Sequence, residues 1–218
     1  MVAGSILPNV TVHRLDQIEL RVLGCLIEKQ RTTPEQYPLT LNALRIACNQ
    51  ATNRDPVLEL DESEVRAAAQ SLGTRGYARL ATGPGSRTAK YRQLFAEALD
   101  LLPSQISILG VLMLRGPQTV AELKTRCERL HHFADTAQVE STLAGLGERE
   151  LTHLLPKRPG QREERWTHLL AEAPTERDES AVDPIEPREP PPVERRLQQL
   201  EDRVAELERR LAERGLLD

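Results

Sequence analysis

Cys127, His131, His132 and Asp135 place a thiol, two imidazoles and a carboxylate within nine residues, the donor types that bind zinc. Cys127 and His131 stand at i and i+4, so a helix would bring them to one face. Structural zinc takes four ligands, however, and no second Cys-x-x-Cys or His-x-x-x-His pair completes the set. Helix-end histidines beside a buried thiol account for the string more simply, and neither metal nor cofactor is expected. Gly83-Pro-Gly-Ser-Arg-Thr-Ala-Lys90 has the glycines and lysine of a phosphate loop. It lacks the Gly-Lys-Ser/Thr ending and lies between two strand patterns instead of opening a helix. No catalytic constellation emerges, and the chain is expected not to be an enzyme.

The elements that must carry these residues occur twice. Leu20-Arg-Val-Leu-Gly-Cys-Leu26 matches Ile106-Ser-Ile-Leu-Gly-Val-Leu112, Thr40-Leu-Asn-Ala-Leu-Arg45 matches Thr119-Val-Ala-Glu-Leu-Lys124, and Lys90-Tyr91 matches Arg165-Trp166. The offset falls from 86 to 79 to 75 residues, so the first copy carries loop insertions and the order is unchanged. In that copy Asp16 is the expected N-cap of a helix burying one face through Ile18, Val22, Leu23, Leu26 and Ile27. Thr40 caps a second helix, and Asp61-Glu-Ser-Glu64 opens a third that ends between Gly73 and Gly76. Tyr77 to Ala81 and Thr88 to Phe95 read as the strands of a hairpin. The second copy has helices from Ile106, from Thr119 with Glu122 in a capping box, and from Asp135. Its strands are Thr152 to Leu155 and Arg165 to Leu169. Three helices and a hairpin in that order are the winged-helix plan. The expected fold class is therefore mainly α with small β-hairpin wings: tandem winged-helix domains at 15–96 and 97–170, plus a C-terminal coiled-coil helix.

An N-terminal arm is expected over 1–14, and a Pro/Glu-rich linker over 171–192. Val193, Leu197, Leu200, Val204, Leu207 and Leu211 then recur at steps of four and three, the seam of a short coiled coil over 193–218. Self-association through Leu197, Leu200, Val204, Leu207 and Leu211 would give a homodimer; a solvated or docked single helix is the alternative. Residues 1–170 hold 21 Lys and Arg against 19 Asp and Glu, and residues 171–218 hold 8 against 14. The folded part is near neutral, which neither demands nor excludes a polyanion. Cys25, Cys48 and Cys127 lie in apolar helical patterns without disulfide-framework spacing, as buried free thiols do. No apolar run is long enough for a membrane span, and a cytoplasmic protein is expected.

A winged helix sets its third helix in the DNA major groove and its hairpin against phosphates. The hairpin candidates are Arg87, Lys90 and Arg92 in the first copy and Lys157, Arg158, Arg162 and Arg165 in the second. Arg66 and Arg75 are added from the first third helix. That helix opens with acids, however, and the second has no Lys or Arg before Arg149. Double-stranded DNA is the first expected partner, and a protein partner reached by an adaptor of the same fold is the alternative. The insertion between Arg31 and Asp55 offers Asn49, Gln50, Asn53 and Arg54 as a candidate partner-binding surface, although helix capping and loop bracing account for the same residues more simply.

Several strings carry a family resemblance: Glu28-Lys-Gln-Arg-Thr-Thr-Pro34, Tyr37-Pro-Leu-Thr-Leu-Asn-Ala-Leu44, Ala47-Cys-Asn-Gln50, Asn53-Arg-Asp-Pro-Val57, Glu128-Arg-Leu-His131 and the stretch 156–170. Through them residues 14–170 resemble the YceH family of uncharacterised bacterial proteins. The resemblance implies a tandem winged-helix fold and a cytoplasmic bacterial protein, and it transfers no catalytic residue. After Lys90-Tyr91 the chain departs from the family's basic or His-containing continuation with Arg92-Gln-Leu-Phe-Ala96.

Overall fold

Five of the seven α-helices among the described residues start where a side chain satisfies free backbone N–H groups. The computed structural model describes residues 13–81, 88–157 and 162–171. Helix α1 spans Gln17–Thr32: the Asp16 carboxylate accepts from Glu19 N–H at 2.7 Å, and Glu19 accepts in return from Asp16 N–H at 2.9 Å. Thr40 caps α2 (Leu41–Cys48), Asp61 caps α3 (Glu62–Thr74), and Gly76 follows α3 at a φ of 75° that suits a residue without Cβ. Strands β2 (Ala78–Ala81) and β3 (Lys90–Gln93) pair antiparallel. The second run has α5 (Pro103–Arg115), α6 (Val120–Cys127) with the Thr119–Glu122 capping box, α7 (Thr136–Glu148) with Asp135 as N-cap, and antiparallel β4 (Thr152–Leu155) and β5 (Arg165–His168). The order of three helices and a strand pair thus occurs twice.

Three elements were not expected, the first a single 3-10 turn over Pro34–Gln36. Strand β1 (Leu39–Thr40) adds to β3 with Leu39 opposite Tyr91, giving a three-stranded sheet in the order β1-β3-β2. Gln118 makes the equivalent single bridge to Trp166 in the second copy. Helix α4 (Phe95–Ala98) takes the end of the expected return strand, because Phe95 is fully buried and turns the chain inward.

The pattern of one buried face also underestimated α1. Residues Glu19 to Ile27 are all buried, as are Ile106 to Leu114 of α5, since these helices pack on one another as well as on their own repeats. Glycine sits at the contact in both. A Cβ on Gly24 would come within 2.9 Å of the Leu114 side chain, and one on Gly110 within 2.9 Å of Ile27 Cγ2. Gly24 and Gly110 are equivalent in the repeat, so the same local device brings both backbones close. The buried apolar residues form one continuous cluster from Leu15 to Leu170, and the described residues all fall in one compact unit, Met1–Glu172. Leu15 N–H donates to Leu170 O at 2.8 Å, joining the ends of that unit.

The three cysteines are buried and unbridged. Among the described residues no helix is long and apolar enough to cross a membrane. The expected arm, linker and coiled-coil seam, with Leu197, Leu200, Val204, Leu207 and Leu211, lie outside the described residues apart from the arm's last two positions.

Candidate functional site

The insertion after α2 is held by an arginine inside the fold. The Arg54 side chain is 0% exposed and grips Glu28 of α1 with two nitrogens, at 3.1 Å to Oε1 and 2.7 Å to Oε2. Its Nε donates to Ala47 O at 3.1 Å, and its Nη2 donates to Gln50 Oε1 at 3.0 Å. Burial raises the Glu28 pKa, but the Arg54 hydrogen bonds and charge outweigh burial and hold that carboxyl below its ordinary range. Asn49 braces the same segment, donating to Leu60 O at 2.8 Å and accepting from Leu60 N–H at 2.9 Å. Of the two readings of Arg54 the position excludes the open contact surface and fits the brace, because the guanidinium spends its donors on acceptors within the fold. Asn53 is exposed at a φ of 62°, a conformation Asn tolerates, and its Oδ1 accepts from Arg115.

The arginines expected to face phosphates are engaged within the chain. Arg66 pairs with Glu62 along α3, and Arg75 pairs with Glu19 at 3.2 Å while donating to Arg14 O at 2.8 Å. Arg92 of β3 pairs with Glu97 of α4. Arg165 of β5 donates to Glu122 Oε2 and to Pro117 O, both at 2.9 Å. Lys90 is half-buried opposite Thr40 and Ala81, whereas Lys157 and Arg162 are exposed; none of the three has an ion pair among the described residues. Lys157 and Arg162 border a groove of about 660 Å³ between α7 and the β4–β5 strands, where Trp166 and Leu154 supply apolar wall and Glu140 supplies a carboxylate. Arg87 and Arg158 lie outside the described residues. Tyr91 is buried in the core, and its counterpart Trp166 packs against it half-buried.

The His/Cys string does not converge. Cys127 is buried, His132 Nδ1 lies 2.6 Å from Glu128 Oε1, and His131 turns its ring edge-on to Phe133. No group of three or more metal-binding side chains occurs among the described residues.

A second cleft joins Arg115, Gln118 and Arg126, which the sequence did not single out, to Arg165, Asn53 and Arg54, which it did. Arg115 at the end of α5, Arg126 on α6 and Arg165 on β5 line about 250 Å³ together with Gln118 and the Asn53–Asp55 turn. Glu122 lies between two of these arginines, 2.9 Å from Arg165 and 3.7 Å from Arg126. Burial raises the Glu122 pKa, yet the Thr119 N–H and Arg165 outweigh it and leave the carboxyl below its ordinary range. The only sequence signal was the excess of basic residues in the last turns of α5 and α6. Their convergence with residue 165 depends on how the two repeats fold together.

A family profile described as "Protein of unknown function, DUF480" matches residues 15–161. The chain is 46% identical over 209 residues to a UPF0502 protein of Pseudomonas syringae pv. tomato, covering 94% of each chain. It is 56% identical over 153 residues to a UPF0502 protein of Citrifermentans bemidjiense, covering 69% of this chain and 71% of that one. A UPF0502 protein of Shewanella amazonensis matches at 44% over 204 residues, 90% of this chain and 95% of that one.

Proposed function

The chain belongs to the bacterial DUF480 family of proteins of unknown function, the YceH-like family its strings resemble, and from that premise we propose that it is a noncatalytic binding protein whose tandem winged-helix repeats engage a protein partner. The repeats are residues 15–96 and 97–170. In this reading a coiled coil over 193–218 gathers two chains in the cytoplasm and doubles the binding surface through effective concentration.

The observation that carries the choice of partner is the state of the basic side chains. Arg66, Arg75, Arg92 and Arg165 are each ion-paired to a carboxylate of the same chain. The exposed start of α3 carries Asp61, Glu62 and Glu64. Duplex DNA presents about one negative charge per 1.7 Å, so such a face would meet repulsion at the groove. A protein surface imposes no such field.

DNA remains a second reading because Lys90, Lys157 and Arg162 stand along the strand pairs without an ion pair among the described residues. Electrophoresis of the full chain with a nonspecific duplex at low and at physiological salt separates the two. The protein reading expects no shift at either. A salt-sensitive shift that Lys157→Glu with Arg162→Glu removes would instead establish the strand pairs as phosphate contacts.

A further inference from the structure

Arg115 is the one arginine of its cleft without a carboxylate partner among the described residues. Arg54 is neutralised by Glu28, and Arg126 and Arg165 share Glu122, while Arg115 donates to the neutral amide oxygen of Asn53. Burial lowers the Arg115 pKa from its ordinary value, the neighbouring guanidinia of Arg126 and Arg54 lower it further, and Glu28 and Glu122 offset only part of this. Like charges are thus drawn together without a full set of counter-charges, an arrangement that favours an incoming anion.

We propose that this cleft binds the phosphate group of a small phosphorylated ligand, with Arg115, the arginine left without a carboxylate, as the donor, while Arg126 and Arg165 stay paired with Glu122 and contribute positive charge to the wall. The three guanidinia come from α5, α6 and β5 and so approach from different directions. A tetrahedral phosphate has oxygens on every side to face them, whereas a planar carboxylate presents its acceptor sites in one plane. The volume of about 250 Å³ exceeds that of a lone phosphate and lies just below the range of roughly 300–1,000 Å³ usual for small-molecule pockets.

Gln118 supplies an independent sign of a ligand. It is 3% exposed, lines the cleft, and donates from its side-chain nitrogen to the carbonyls of Arg115, Gly116 and Pro117 at 3.0, 3.3 and 2.9 Å. Those three carbonyls fix which end of the amide is nitrogen. The remaining Oε1 is buried with no hydrogen-bond partner among the described residues. A buried acceptor left alone is costly, and this one lies in the wall of the cleft beside the arginines. Asp55 and Glu122 place two carboxylates in the same lining against its four arginines, so the cleft keeps a net positive charge.

The site is independent of the partner reading: a chain that binds phosphate but no protein would lose only the latter. Calorimetric titration of the full chain with inorganic phosphate, and with acetate and chloride at equal ionic strength, tests it. The expected result is saturable binding of one phosphate per chain with a raised unfolding temperature, and no saturation by acetate or chloride. Arg115→Gln and Arg126→Gln should each weaken phosphate at least tenfold, Arg115→Lys should fall between, and Arg66→Gln should bind as the parent does. Circular dichroism checks that each variant is folded; if Arg115→Gln is not, Arg126→Gln and Arg115→Lys carry the comparison. Absence of saturable phosphate binding in the parent overturns the proposal, as does undiminished affinity in the folded cleft variants.

Discussion

Arg54 and Arg66 are both paired with glutamate, yet burial gives the two pairs different consequences. Removing Arg54 leaves Glu28 without its two strongest donors and Ala47 O without one of its own. Arg54→Ala should therefore destabilise by about 3 kcal/mol in urea unfolding, since the largely covered Glu28 carboxylate and the Ala47 carbonyl lose their compensation. Arg66→Ala breaks a half-exposed pair within one helix and should change stability by less than about 0.5 kcal/mol. Titration gives a second test. Burial pulls the His168 pKa down to about 4 from 6.5, so the folded chain keeps this imidazole neutral where the unfolded chain protonates it. Stability from this group is complete above pH 6.5 and is lost as the pH falls toward 4, because the unfolded state binds more protons in that window. The unfolding midpoint should decline between those values, and His168→Gln, which keeps an acceptor for Leu170 N–H, should flatten the decline. An unchanged slope would assign the loss to other groups.

Among the elements, α1 and α5 decide whether the two repeats share a core. Their contact is close because Gly24 and Gly110 expose backbone where any larger residue would project into Leu114 or Ile27. Gly110→Leu should cost about 2 kcal/mol or more, since the added side chain enters a packed interface and forces neighbours off their rotamers. Gly145 in α7 is the contrast: nothing lies within 4 Å of an added Cβ, so Gly145→Ala should stabilise by roughly 0.5–1 kcal/mol through helix propensity. Urea midpoints of the two variants, moving in opposite directions, would check both. The helix starts were legible beforehand because Asp16, Thr40, Thr119 and Asp135 are capping residues whose partners lie within three positions. The two-residue strand β1 was not, because its pairing partner is some fifty residues away at Lys90 and Tyr91 and no local pattern encodes it.

At the scale of the whole molecule, the described unit ends at Glu172 and the heptad seam lies beyond it. If that seam gathers chains, light scattering should give a full-length mass twice that of the chain, while a truncation ending at Glu172 should give a single-chain mass; equal assembly by both would remove the tail from the account. The repeat, the caps, the glycine between apolar residues at 24 and 110, and the family strings could all be read from the unfolded chain, because each depends on residues a few positions apart. The destination of charge could not. Whether Arg54 braced its loop or faced a partner was decided only when α1 supplied Glu28, and Arg165 looked like a free strand-pair cation until α6 supplied Glu122. Arg115 and Arg126 carried no motif, and only the packing of α5, α6 and β5 brings them together beside an unpartnered amide oxygen. Electrostatic roles depend on distance through space, which chain spacing does not reveal once the partners are more than a helical turn apart.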